Sequence, residues 1–236
     1  TRLEPELAAS ANIVLANSTR FAAELQPYNP HTYPIETGVN LELYNPAKKY
    51  ETPGDMQDIP RPIIGYMGTI NSTRLDGELL YQIISQRPDY SFVFTGPEDD
   101  IFRRNRIHSL KNAYFTGQKK VDELPAYIAA YDVCINPQMV NEITDGNYPL
   151  KIDEYLAMGK PTVATSTHTM RNIFAGHTHL AINPEEWLAA IDRAVTEADD
   201  KELAKQRIAF AETHSWGHSV KKIYEIIDSF LKKKTT

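Results

Sequence analysis

The sequence predicts an α/β chain, a Rossmann-like parallel sheet with helices on both faces. Two observations predict it. From Pro62 onward, short apolar runs alternate with helical stretches, the pattern of a parallel sheet buried on both sides. Several of these runs end in glycine or turn residues, as in Gly65-Tyr-Met-Gly68-Thr69, Thr95-Gly-Pro97 and Phe115-Thr-Gly-Gln118. Ligands of such sheets bind at the carboxyl ends of the strands.

Taken in order, Leu3 to Ser10 reads as the tail of a helix and Asn12 to Ala16 as an apolar strand. Ser18 or Thr19 can cap a helix through Leu25. Tyr33 to Glu36 reads as a strand, with a turn at Gly38. The stretch from Val39 to Pro46 leads into a polar segment rich in Pro, Gly and Asp that ends at Pro60 and is expected to be a linker or hinge. The regular part places strands at Ile63–Met67, Ser91–Thr95, Ala113–Thr116, Val133–Asn136, Thr162–Thr165 and His179–Ile182. Helices are expected at Asp76–Ser85, Asp122–Tyr131, around Glu154, near Met170–Phe174, at Pro184–Ala198 and at Lys201–His214. In Val220–Leu231 an apolar stripe of Val220, Ile223, Tyr224, Ile227 and Leu231 predicts an amphipathic final helix.

The 236 residues are enough for one large or two small domains, and 42% hydrophobic content can build a core. A net charge of −6 argues against a general nucleic-acid binder. The lone Cys134 cannot form an internal disulfide, which favours a reducing compartment. No apolar run approaches the roughly 20 residues of a membrane span, and the start has no signal-peptide pattern. Thr1 in the first position, where Met would stand, suggests a processed or excised piece. There are no internal repeats, and the one biased tract is Lys232-Lys233-Lys234.

The stretch from Asn147 to Thr165 organises the rest. Pro149 suits the first turn of a helix, Gly159 the left-handed position past its end, and Pro161 prevents continuation. The helix start offers free N–H donors and the positive end of a dipole, suited to an anion such as phosphate. Lys151 and Glu154 share one face. One could meet a diphosphate and the other accept hydrogen bonds from sugar hydroxyls; a solvated ion pair is the plainer alternative.

Pro149-Leu-Lys-Ile-Asp-Glu-Tyr-Leu-Ala-Met-Gly-Lys-Pro161 resembles the nucleotide-sugar motif of GT-B glycosyltransferases, in the retaining group called glycosyl transferases group 1. There this segment closes a Glu-x7-Glu motif whose second Glu binds the donor ribose, and Glu154 matches it. The first Glu falls at Gly146, a departure at the donor-sugar contact, with Asp145 one residue out of register. Asn147, Pro149, Leu150, Lys151, Glu154, Tyr155, Leu156 and Ala157 fit better a subgroup linked to cell-surface polysaccharide synthesis. Gly38-Val-Asn-Leu-Glu-Leu-Tyr-Asn-Pro46 resembles the family's hinge motif, with Asn for Asp and Tyr44 for Phe. Ser215-Trp216 resembles the pair before the final crossover helix.

The resemblance implies the C-terminal half of a GT-B fold. Residues 1–46 would be a remnant of the acceptor-side domain and hinge, 47–214 the nucleotide-sugar donor domain, and 215–236 the crossover helix. The implied donor nucleotide site comprises Glu154, the backbone at Pro149, Leu150 and Lys151, together with Gly68, Thr69, Arg74, Gly96 and Gln118. Thr69 stands where the family has Arg, and Arg74 where it has Lys, so the site is one cation short and Lys151 could compensate. No catalytic nucleophile is assigned; Lys151 and Arg74 would stabilise the leaving phosphate. Asp145, Gly146 and Asn147 would neighbour the donor sugar, and Glu142 could serve with Asp145 as a loop carboxylate.

No metal or other cofactor is expected; the nucleoside-diphosphate sugar is the substrate. The histidine pairs His177-x-His179 and His214-x3-His218 lack partners at zinc spacing. A Ser nucleophile elbow, a P-loop and a Cys–His pair are absent. The implied function is glycosyl transfer, with the isolated chain binding nucleotide but turning over little. A nucleotide-sugar epimerase, a phosphorylase of the same fold and a non-catalytic nucleotide-binding module are the alternatives. Implied partners are the donor, the rest of the acceptor domain and, through exposed strands, a second copy of the chain; nucleic acid is not one. A cytoplasmic location, peripheral at the inner membrane face for the whole protein, is expected.

Overall fold

The computed structural model describes residues 3–142 and 144–234, so Thr1 lies outside it. The chain opens with α1 (Leu3–Ser10), β1 (Val14–Ala16), α2 (Thr19–Leu25) and β2 (Thr32–Pro34). Ser18 is the cap of α2, its hydroxyl accepting from Phe21 N at 3.2 Å. β1 and β2 pair in parallel as a two-stranded sheet of their own.

The main unit follows with β3 (Ile63–Met67), α3 (Gly77–Gln86), β4 (Ser91–Thr95), β5 (Ala113–Gly117), α4 (Leu124–Ala130), β6 (Val133–Asn136), α5 (Leu150–Ala157), β7 (Thr162–Thr165), β8 (His179–Ala181), α6 (Pro184–Thr196), α7 (Lys201–Thr213) and α8 (Trp216–Lys234). Among the described residues β3 to β8 form one parallel sheet in the order β5-β4-β3-β6-β7-β8. The order reverses between β3 and β6, the switch point at which doubly wound sheets bind ligands.

Every residue of β3, β4, β6 and β7 is buried, as central strands covered on both faces require. Alternation along β3 divides the core. Ile63 and Met67 pack with Tyr127 of α4, Ile152 of α5 and Ala211 of α7. Ile64 and Tyr66 pack with Leu80 of α3 and Trp187 of α6. Gly65 belongs to this packing: a Cβ there would lie 2.2 Å from the Tyr131 ring.

Three local expectations change. Pro149 sits just before the first turn of α5, at the cap, with φ −88° and ψ 82°. The segment expected as a linker or hinge has packed side chains: Met56 is buried, and Asp55 takes the Lys119 ammonium at 2.7 Å and the Tyr127 hydroxyl at 2.8 Å. On α8, Ser219 and Phe230 are buried and Ile223, Ile226 and Ile227 half-buried, while Val220, Tyr224 and Leu231 of the expected stripe are exposed. Specific contacts select that face: Ser219 Oγ donates to Glu36 O at 2.8 Å, and the Phe230 ring meets His31 edge-on at 4.9 Å. Thus α8 runs back over the N-terminal segment, and among the described residues no helix is long and apolar enough to cross a membrane.

Candidate functional site

A cavity of about 810 Å³ opens at the carboxyl ends of β3, β4 and β6. Its floor is made by two strand ends that need glycine. Gly68 (φ 131°) donates its N–H to Thr95 O at 2.9 Å, and a Cβ on Gly96 (φ 150°) would lie 2.0 Å from Gly68 O. Both are left-handed conformations that side chains resist. Thr69 follows Gly68, and its carbonyl accepts from Tyr66 Oη at 3.0 Å. Gln118 and Lys119 line the far end, below β5.

The start of α5 forms the facing wall, with Pro149, Leu150, Lys151 and Glu154 lining the cavity. The helix holds its register because Tyr155 Oη accepts from Met67 N at 2.8 Å and Gly159 takes φ 73° past its end. Lys151 and Glu154 are not paired with each other through a salt bridge. Lys151 Nζ instead donates to Tyr66 Oη at 2.6 Å and stands 4.0 Å from the Tyr66 ring centroid. A Cβ on Gly68 would come within 2.8 Å of that nitrogen, so the glycine makes room for the ammonium. Burial pushes the Lys151 ammonium down to about 7; Glu154 opposes the shift and Arg74 adds to it. Burial raises the Glu154 carboxyl, against the Tyr44 hydroxyl and Lys151, which favour its ionised form. Arg74 is exposed on the cavity rim, and no salt bridge is seen for it among the described residues.

Every residue expected at the donor nucleotide thus lines one cavity, as does Asn147. Asp145 and Gly146 do not. Asp145 Oδ1 accepts from His168 N at 2.8 Å and Oδ2 lies 3.7 Å from Arg20, while Gly146 packs against the Arg20 side chain. Both stand outside the cavity lining, where the Asp145 carboxylate closes a loop by meeting backbone N–H and guanidinium. Glu142 is an exposed loop residue outside the lining. The histidines are engaged elsewhere. His177 stacks on Phe210 at 3.9 Å, His179 Nε2 lies 3.0 Å from Glu197, and His214 Nδ1 lies 3.0 Å from buried Asp153.

Tyr44, Tyr66 and Gln138 are among the cavity residues that were not anticipated. Tyr44 is buried and lines the cavity together with Glu154. Tyr66 carries the Lys151 contact. Gln138, just past β6, accepts from Asn136 Nδ2 at 3.2 Å, leaving Asn136 Oδ1 buried without a partner. Only the last had a signal, its position beyond a strand end. Among the described residues no cluster of three or more His, Cys, Asp or Glu could hold a metal ion.

The glycosyl transferases group 1 family profile matches residues 61–197. A protein of Bacillus subtilis (strain 168) named as a teichuronic acid biosynthesis glycosyltransferase, TuaH, is 27% identical over 188 residues, which are 77% of this chain and 47% of that protein. The crystal structure of Anabaena Alr3699/HepE in complex with UDP and glucose superposes with TM-score 0.72 at 19% identity, over 97% of this chain and 66% of that one. Sucrose-phosphate synthase (tll1590) from Thermosynechococcus elongatus superposes with TM-score 0.75 at 20% identity, over 98% and 61%. These two likenesses establish the fold. The chain spans about half the length of the curated relative it matches.

Proposed function

The chain belongs to the glycosyl transferases group 1 family, and on that premise we propose that its cavity binds the nucleoside diphosphate of a sugar donor and that the whole protein transfers the sugar to an acceptor. One observation carries the reading: two glycine strand ends, a helix N-terminus, two cations and a carboxylate converge at the switch point of the sheet. The N–H groups opening α5, with Lys151 and Arg74, supply the positive charge a diphosphate needs. Glu154 accepts hydrogen bonds from the ribose hydroxyls. The polar groups left for the sugar include the amides of Asn147 and Gln138.

In the transfer, the bond between the anomeric carbon and the diphosphate oxygen breaks, and the diphosphate leaves with the electron pair. The acceptor oxygen forms the new bond with retained configuration and passes its proton to the departing diphosphate. Lys151 and Arg74 act on charge as it develops on the leaving group. UDP is the proposed nucleotide, by analogy with the Anabaena structure, and cell-surface polysaccharide synthesis the proposed setting, by analogy with the relative named for teichuronic acid biosynthesis. The chain alone is proposed to bind donor without efficient turnover, and to do so without a metal ion.

Calorimetric titration with UDP, GDP and ADP, with added divalent cation and again in EDTA, tests the reading. Charge-assisted hydrogen bonds contribute about 1.5–3 kcal/mol each, so Glu154→Ala is expected to weaken binding about tenfold or more. A folded chain that binds none of the three, or binds equally well without Glu154, would sink the proposal. Binding that disappears on chelation would remove the metal-free part alone.

A further inference from the structure

The arginine at the cavity rim is borne by a segment that leaves the core after β3 and returns within a few residues. Ile70 and Leu75 are buried at its two ends, while Arg74 is exposed and lines the cavity. One side of the segment is held by its own backbone and by the loop after β6. Arg74 N donates to Asn71 O at 3.0 Å, Met139 N to Arg74 O at 2.8 Å, and Asn141 Nδ2 to Thr73 O at 3.1 Å. The other side is held by the Asp99 carboxylate, from the loop after β4. Ser72 N and Ser72 Oγ both donate to Asp99 Oδ2, each at 2.7 Å, and Phe102 N donates to Asp99 Oδ1 at 2.6 Å.

Asp99 therefore ties the arginine-bearing segment to a fixed point. Phe102 is 1% exposed and packs in the same core as Ile70 and Leu75. The backbone adds to the tie, with Ile70 N donating to Pro97 O at 2.8 Å and Asp99 N to Ile70 O at 3.1 Å. Three donated bonds converge on two oxygens, which suits an ionised carboxylate. An amide offers one acceptor oxygen and would turn its NH2 against the donors of either Ser72 or Phe102. Neither Ser72 nor Asp99 lines the cavity. Asp99 can thus act on a ligand only through the segment it holds or through its charge.

We propose that Asp99 is a positioning residue for Arg74: by fixing Ser72 it holds the arginine-bearing segment at the cavity rim, where the guanidinium meets the diphosphate. This rests on the reading of Arg74 as a diphosphate ligand. A long side chain loses conformational freedom when it binds, and a backbone already fixed keeps that loss to the side chain alone. The sign of the effect separates positioning from charge. Asp99 is an anion two residues beyond Pro97 of the cavity lining, so removing its charge alone would strengthen the binding of a diphosphate. Loss of positioning weakens it.

The test is titration of the 236-residue chain with whichever of UDP, GDP and ADP binds tightest. Wild type, Asp99→Asn, Arg74→Met and the double variant are compared, with urea unfolding of each to confirm the fold. Asp99→Asn is expected to weaken binding about three- to tenfold, part of what Arg74→Met loses. In the Arg74→Met background Asp99→Asn is expected to cost nothing further, because a residue that acts through another is not additive with it. Ser72→Ala removes one of the three bonds and no charge. It should weaken binding by less, again only where Arg74 is present, and it decides the question by the same outcomes if Asp99→Asn does not fold. Unchanged or tighter binding, or an equal loss in both backgrounds, overturns the proposal and leaves the reading of Arg74 standing. Arg74→Met that binds as the wild type does, or a folded wild type that binds none of the three nucleotides, overturns the underlying reading as well.

Discussion

Lys151 sets burial against charge in the cavity. Its ammonium lies on a phenol face and hydroxyl, with no carboxylate in salt-bridge contact, and burial brings it down to about 7. A bound diphosphate would favour the charged form, so nucleotide binding should weaken as pH rises through about 7 toward 8 and above. In Lys151→Met the alkaline weakening should vanish, along with roughly tenfold or more of the affinity at neutral pH. Titration across pH checks both. Stability gives an independent readout. Because the folded-state value lies below the ordinary 10.5, the unfolded chain binds a proton that the folded chain has released between about 7 and 10.5, and wild-type stability gains with pH over that window. The Met variant lacks that gain and should melt higher at neutral pH; each kcal/mol is about 2–4 °C for a chain of this size. The sequence showed that Lys151 and Glu154 share a helical face. It did not show that Lys151 would sit on Tyr66, because that contact joins residues remote along the chain.

At the scale of elements, the site depends on how closely two strand ends and one helix approach. Gly68 has φ 131°, and a Cβ there would be 2.8 Å from Lys151 Nζ, the movable end of a flexible side chain. Gly68→Ala should therefore fold with about 1–2 kcal/mol lost to backbone strain and displace the ammonium. Nucleotide affinity should fall more than stability does, as calorimetry and urea unfolding together would show. Gly96→Ala differs in kind, since its Cβ would meet backbone, Gly68 O, at 2.0 Å; that variant should lose the fold of both strand ends. The strands Ile63–Met67, Ser91–Thr95, Val133–Asn136 and Thr162–Thr165 were legible to the residue, because short apolar runs between turn residues leave little freedom of length. The face of α8 was not: its sequence offers two overlapping apolar stripes, and contacts at Glu36 and His31 choose between them.

Across the whole molecule, Asp153 joins the pieces. Its carboxylate accepts from Tyr148 Oη at 2.5 Å on the cavity side and meets His214 where α7 hands over to α8. Removing one partner of a buried charged network costs about 3–5 kcal/mol, so Asp153→Ala should lower the urea midpoint markedly even though Asp153 does not line the cavity. An unchanged midpoint would show that the network is expendable. The β1–β2 sheet has no further strand among the described residues, and Leu3 and Leu7 beside it are 72% and 70% exposed. We propose that this edge pairs with another polypeptide segment. Sedimentation of the isolated chain should show concentration-dependent self-association, and a monomer at every concentration would dismiss a homo-oligomer.

What the sequence determined by itself is local and periodic. Alternating apolar runs dictated the parallel sheet, glycines marked the strand ends, and the Asn147–Thr165 motif located the helix whose N-terminus lines the cavity. These follow from short-range rules of backbone and burial. Tertiary structure alone decided which charges meet. It turned Asp145 to Arg20 and His168, set Lys151 on Tyr66 and brought Tyr44 and Glu154 to one cavity. A side chain's partner depends on which distant segment folding delivers to it, and no spacing along the chain encodes that distance.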